Sequence, residues 1–493
     1  MKKHIAIIGA GLGGLAAAMR LAYNGCRVSI YEKNSGAGGK MQEVVSPQGY
    51  RFDTGPTLLT MPFVFEHLFQ DVGKRLADYL TLVPLEIPCR YHFSDGTVFN
   101  AYADFEKLTS EIETVFPSER KNFERYFQHI KKIYDITAES FIYNPLTLSR
   151  LMRVNPLDFF SIDAFPTAHE TNSKFFGDSR FVQFLDRFPT YVGSSPYLAP
   201  ATLNVIPFVE LSFGGFYVQG GLYRVAEAYQ KVCEELGVEF HFNSEVAEIL
   251  IEEKKAAGLK LQDGQRISAD AVISNDDAVH TYERLFGRNG KKIVSERKLK
   301  QLEASCSGFV LLLGVKREYA SLNHHNIFFS PNYENEFREI FEQKIPPFEP
   351  TIYVSVSSKS DKRQSPAGTE NWFVLVNAPY LTDAYDWTTG AKPYRDLVIN
   401  RLTTLGFTDL EQHLEFEQIL TPLDLKTKFN SNRGSIYGVT SNKKSSAFLR
   451  PQNRSPYLKR LYFASGSAHP GGGTPMVTLS GKFAAELVMQ DLK

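Results

Sequence analysis

Cysteine is scarce in this chain. Its 493 residues hold four, Cys26, Cys89, Cys233 and Cys306. None stands in a CxxC or other metal-ligating spacing, so zinc and iron–sulfur centres are not expected, and no metal is. Four scattered thiols also argue against a disulfide framework and predict a reducing, cytoplasmic setting. Net charge is lacking too, because 55 Lys and Arg balance 55 Asp and Glu. Nucleic-acid binding needs a concentrated basic field, so no nucleic-acid partner is expected. An unbroken apolar span is missing as well. The longest uncharged run, between Arg187 and Glu210, contains Pro189, Gly193, Pro196, Pro200 and Pro207. These residues would interrupt a membrane-spanning helix repeatedly, and the run reads as buried or cavity-lining irregular structure. The start, Met1-Lys2-Lys3-His4 before apolar residues, looks superficially like a signal peptide but lacks a small-residue cleavage site. Only Trp is rare among the aromatics: there are 38 Phe and 24 Tyr against 2 Trp. With 43% hydrophobic residues the chain can form a core, which excludes disorder.

What is present is a phosphate-binding pattern. His4-Ile5-Ala6-Ile7-Ile8 reads as a short buried parallel strand. Gly9-Ala10-Gly11-Leu12-Gly13-Gly14 follows as a GxGxxG and opens a helix over 15–24. A second strand, Arg27-Val28-Ser29-Ile30-Tyr31, ends at Glu32, 32 − 14 = 18 residues after the last glycine. Each part has a job in a dinucleotide site. Gly9 makes the tight turn, Gly11 admits the pyrophosphate, and Gly14 lets helix and strand pack closely. The helix N-terminus favours the anion. Glu32 accepts hydrogen bonds from the ribose. Two more glycine-rich loops follow, Gly36-Ala37-Gly38-Gly39-Lys40 and Asp53-Thr54-Gly55-Pro56-Thr57. They favour the larger FAD over a nicotinamide cofactor.

These motifs resemble those of the phytoene-desaturase-type carotenoid desaturases, within the broader amine-oxidase-like FAD flavoproteins. The resemblance runs along nearly the whole chain. It implies an α/β fold with a Rossmann-like FAD-binding domain, interleaved with an α+β substrate domain built on a mixed sheet. The FAD domain is placed at 1–89, 215–290 and 441–493, and the substrate domain at 90–214 and 291–440. The resemblance implies cofactor contacts at Gly9, Gly11, Gly13, Gly14, Glu32 and Lys33. It adds Gly39, Lys40, Gly55, Pro56, Thr57 and Leu58, then Val246, through a backbone contact to adenine, and Asn275. The late strand over 460–464 leads into Gly466 and the run Ala468-His469-Pro470-Gly471-Gly472-Gly473-Thr474-Pro475-Met476. There the implied contacts are Gly466, Gly473, Thr474, Pro475 and Met476, with a helix from Met476 whose positive end faces the flavin pyrimidine. This run, continued by Val477-Thr478-Leu479-Ser480, and the middle run Tyr191-Val192-Gly193-Ser194-Ser195-Pro196-Tyr197-Leu198-Ala199-Pro200-Ala201-Thr202 are similar to the hydroxycarotenoid 3,4-desaturases, while Ser467 stands where many relatives outside the carotenoid branch have an acid.

The implied activity is flavin-dependent insertion of a double bond into a long apolar carotenoid. A phytoene-type desaturase, a carotenoid isomerase or oxygenase, and a non-catalytic prenyl or lipid chaperone of the escort type are the alternatives. No base for the second proton stands out, and His469 is the catalytic candidate by its nearness to the flavin loop. Three apolar runs, 308–315, 351–356 and 371–376, predict strands of one mixed sheet. Between Phe141 and Phe165, the apolar Ile142, Leu146, Leu148, Leu151, Met152, Leu157, Phe159, Phe160 and Ile162 are flanked by Arg150 and Arg153. This pattern predicts membrane-associating helices and peripheral attachment to the cytoplasmic membrane.

Overall fold

The structure is a computed structural model that describes residues 2–145, 161–287, 293–295, 298–299, 301–442 and 450–493. Most of the stretch expected to touch a membrane therefore lies outside the described residues. Of its edges, Ile162 is buried and Phe165 is 55% exposed.

The first strand, His4–Ile8, and the second, Arg27–Tyr31, are buried on both faces, as continuous apolar runs in a parallel sheet must be. They sit in a five-stranded parallel sheet. Its order is Leu461–Phe463, Ala271–Ser274, His4–Ile8, Arg27–Tyr31, Glu239–His241. The first helix, Leu12–Tyr23, crosses between its first two strands and starts earlier than the predicted 15. Gly11 is its N-cap, so Gly13 and Gly14 lie inside the first turn. The last helix, Thr474–Asp491, packs against the first. Their backbones meet at Gly481, where a Cβ would lie 2.4 Å from the Gly13 carbonyl oxygen. An antiparallel meander of Val246–Glu252, Lys255–Leu261 and Arg266–Ser268 is inserted between the parallel strands Glu239–His241 and Ala271–Ser274.

A second, seven-stranded sheet runs Leu414–Leu420, Ser307–Val315, Glu370–Ala378, Ile352–Val356, His325–Phe328, Cys89–His92, Val98–Ala101. It is mixed, with one parallel pair between His325–Phe328 and Cys89–His92. The three predicted apolar runs form its centre, and the strands from 89–101 complete it. The proline-rich run after Arg187 is only partly irregular. It holds the short turns Phe188–Val192 and Ala201–Asn204, then a regular helix, Val205–Phe213. Pro207 falls in that helix's first turn, where a missing N–H costs little.

Candidate cofactor site

Open α/β sheets bind ligands beyond the carboxyl ends of their parallel strands. Here the segments that follow Ile8, Tyr31, Ser274 and Phe463 converge on a cavity of about 330 Å³. Its far wall is apolar and comes from the mixed sheet: Val310, Phe373, Leu375 and Leu420 share one face across neighbouring strands. One site is thus built between the two sheets.

The glycine turn and the acid meet as the spacing requires. The Glu32 carboxylate accepts from the Ala10 N–H at 2.8 Å. Its other oxygen accepts from the Asn34 N–H at 2.9 Å and the Asn34 side-chain amide at 2.8 Å. Asn275 ties the turn to the late loop: its Oδ1 accepts from the Gly11 N–H at 2.8 Å, and its Nδ2 donates to the Ala464 carbonyl. Of the helices that begin at the cavity, those starting at Gly11 and Gly473 have no side-chain cap, whereas those starting at Asp277 and Thr421 are capped by their own side chains. A Cβ at Gly473 would meet nothing within 4 Å. Two uncapped helix starts at one cavity are what an anionic pyrophosphate and an electron-accepting ring require. The residues present therefore fit a flavin dinucleotide.

Of the expected contacts, Gly9, Gly11, Glu32, Lys33, Gly39, Lys40, Gly55, Pro56, Val246, Asn275, Gly466, Gly473 and Thr474 line the cavity. The others do not. Gly13 and Gly14 serve packing, since a Cβ there would strike the Ala464 and Gly9 carbonyl oxygens at 2.2 and 2.5 Å. Thr57 turns away, its hydroxyl bonded to Tyr353 Oη at 2.6 Å, and Leu58 packs against the core. Pro475 is buried in the helix and Met476 packs inward. The helix starts at Thr474, so Val477, one turn on, lines the cavity instead.

The lysines are engaged within the protein. Lys33 Nζ donates to the Thr427 carbonyl and to Asn430 Oδ1, each at 2.8 Å. Lys40 Nζ donates to the carbonyls of Ser435 and Ile436 at 3.1 and 2.6 Å. Burial pushes the Lys40 ammonium down to about 8, against the pull of Asp277 and Asp276. Burial raises the Asp277 carboxyl, and Lys40 works against that rise.

His469 is not among the side chains that line the cavity. It is buried, its Nε2–H donates to the Asn144 carbonyl at 2.9 Å, and its ring stacks on Phe483 at 5.6 Å. Burial lowers it to about 4, so it is neutral at physiological pH. Its position is that of a pin between the late loop and residue 144. All four cysteines are free, and burial pushes Cys89 and Cys306 up to about 12, far from a reactive thiolate.

Sequence reasoning missed a whole side of the cavity. Thr421, Leu425, Lys428 to Ser431 and Ile436 to Gly438 line it, with Asp276 and Asp277. The Asp pair follows the end of a core strand, a position that topology alone marks as ligand-facing. The 421–438 segment carried one signal, the turn-forming run Asn430-Ser431-Asn432-Arg433-Gly434.

Comparison with known proteins decides the family. Residues 12–489 match the family described as flavin containing amine oxidoreductase. The chain belongs to that family. It is an FAD-dependent oxidoreductase. Among its relatives is a 4,4'-diapolycopene oxygenase of Methylomonas sp, 38% identical over 498 residues, covering 100% of this chain and 99% of the relative. A 4,4'-diaponeurosporene oxygenase of Staphylococcus haemolyticus is 36% identical, covering 99% and 97%. Among solved structures, a putrescine oxidase shares the fold with a TM-score of 0.65 at 15% identity, covering 100% of this chain and 99% of that one.

Proposed function

We propose that this chain oxidises a carotenoid, a long apolar polyene, as an oxygenase acting on a diapocarotenoid. The observation that carries the reading is the apolar wall of Val310, Phe373, Leu375 and Leu420, set opposite the glycine turn in one cavity. Such a wall suits a hydrocarbon. The full-length likeness to two carotenoid oxygenases supports the substrate class.

Bound FAD would accept two electrons from a C–H bond, with water giving the oxygen atom to the carbon and releasing a proton, and the rest falls to the chain. The Gly11 helix start holds the pyrophosphate, Glu32 the ribose, and Val246 the adenine. The Gly473 helix start presents its positive end to the ring, preorganised for charge that builds up on reduction. We assign these roles to 1–89, 215–290 and 441–493, and substrate binding to 90–214 and 291–440. No described helix is long and apolar enough to cross a membrane. The substrate dissolves in lipid, so we assign the chain to the surface of the cytoplasmic membrane.

A second reading is 3,4-desaturation of a hydroxycarotenoid. The runs Tyr191 to Tyr197 and Ala468 to Pro475, similar to that enzyme group, favour it. Product mass separates the two. The FAD-loaded protein is incubated with diapolycopene and, separately, with a 1-hydroxycarotenoid. Oxygenation adds oxygen to the first, whereas desaturation only removes two hydrogens from the second. If neither substrate changes, the carotenoid assignment fails.

A further inference from the structure

Two buried cations stand at or near the cavity, Lys40 in its lining and Arg450 outside it, and only Lys40 has facing carboxylates. Lys40 faces Asp276 and Asp277. Arg450 is different. The residue is buried, 5% exposed, and its guanidinium bonds to the backbone of the loop after Phe463. Nη1 donates to the Gly466 carbonyl at 3.2 Å, and Nη2 to Ser441 Oγ at 3.3 Å. Gly471 rests directly on it, since a Cβ there would lie 3.4 Å from Arg450 Cζ. Among the described residues no carboxylate pairs with it, and burial alone lowers its pKa, to about 10.

A buried charge with no counter-charge is costly, and proteins keep one where an anion is to be met. Gly466, the partner of Nη1, lines the cofactor cavity, as do Gly472 and Gly473 beyond Gly471. The cavity-facing loop is therefore clasped near both ends to a cation it does not neutralise. The uncapped helix start at Gly473 adds positive potential of the same sign.

We propose that Arg450 is the positioning charge for flavin reduction: it holds the Gly466–Gly471 loop and supplies the positive potential that stabilises the reduced, anionic flavin. Two electrons and one proton added to the oxidised ring leave one extra negative charge. The electrons come from the substrate C–H bond in turnover, or from dithionite in the test. The charge acts through the loop from a buried position, where an electrostatic effect carries further than in solvent. This inference rests on the cofactor and is independent of which carotenoid is oxidised.

The test is the two-electron midpoint potential of the FAD holoenzyme, measured by dithionite titration against a reference dye. Arg450→Gln is expected to lose at least tenfold of the preference for reduced flavin, a drop of about 30 mV for a two-electron couple. Arg450→Lys, which keeps the charge, is expected to stay near the wild-type value. A wild-type potential in Arg450→Gln overturns the proposal. So does an equal drop in Arg450→Lys, which would show that hydrogen-bond geometry and not charge sets the potential. If neither variant retains FAD, the wild-type protein decides. A potential above that of free FAD supports the proposal, and one at or below it refutes it.

Discussion

Glu32 concentrates the adenosine side of the site in one carboxylate. It accepts from Ala10 and Asn34 in the protein, and we propose that it also accepts from the ribose. Glu32→Ala removes a charged acceptor, a loss of about 1.5–3 kcal/mol, so the FAD Kd should rise roughly ten- to hundredfold by fluorescence titration. An unchanged Kd would remove the ribose assignment. Lys40 gives a pH dependence with a definite sign. Its ammonium is lowered to about 8, and an anionic ligand would raise that pKa again. FAD affinity is therefore level below pH about 8 and falls as pH rises through it. In Lys40→Met the curve should be flat over that window. A falling curve in the variant would place the titration elsewhere. Glu32 and the first glycines were legible because one local spacing carries their chemistry. Arg450 was not, because a lone Arg in an ordinary segment acquires meaning only when the fold buries it against the late loop.

At the scale of elements, the two helices with uncapped starts at the cavity also hold each other. Gly481 lets the last helix approach the first at the Gly13 carbonyl. Gly481→Ala would force a Cβ to 2.4 Å from that oxygen and 2.8 Å from the Ala16 Cβ. Overpacking of this kind costs about 1–3 kcal/mol. A lower melting temperature is expected, together with weaker FAD retention because both helix starts shift. A variant as stable as wild type would show that the crossing is slack. Strands of the parallel sheet and the centre of the mixed sheet were readable as apolar runs. The helix Pro422–Phe429 was not, since its Asp424, Lys426 and Lys428 mark a solvated surface with no apolar period. Only the closed fold brings Leu425 and Phe429 over the cavity.

For the whole molecule, the sequence conveyed the α/β character and the presence of two sheets, because glycine motifs and apolar runs are local. It did not convey which faces of the sheets meet. That depends on register across strands far apart in the chain, such as Val310 opposite both Leu375 and Leu420. The proposed peripheral attachment is tested at this scale. The protein should float with anionic liposomes in a density gradient, and protein left at the bottom would contradict a membrane-surface role. The proposed reaction passes electrons from a carotenoid to the bound flavin. The decisive experiment mixes the yellow FAD holoenzyme with diapolycopene in liposomes, without oxygen. The flavin absorbance should bleach in step with loss of the carotenoid. Flavin that stays oxidised while the carotenoid is unchanged, or merely isomerised, would contradict it.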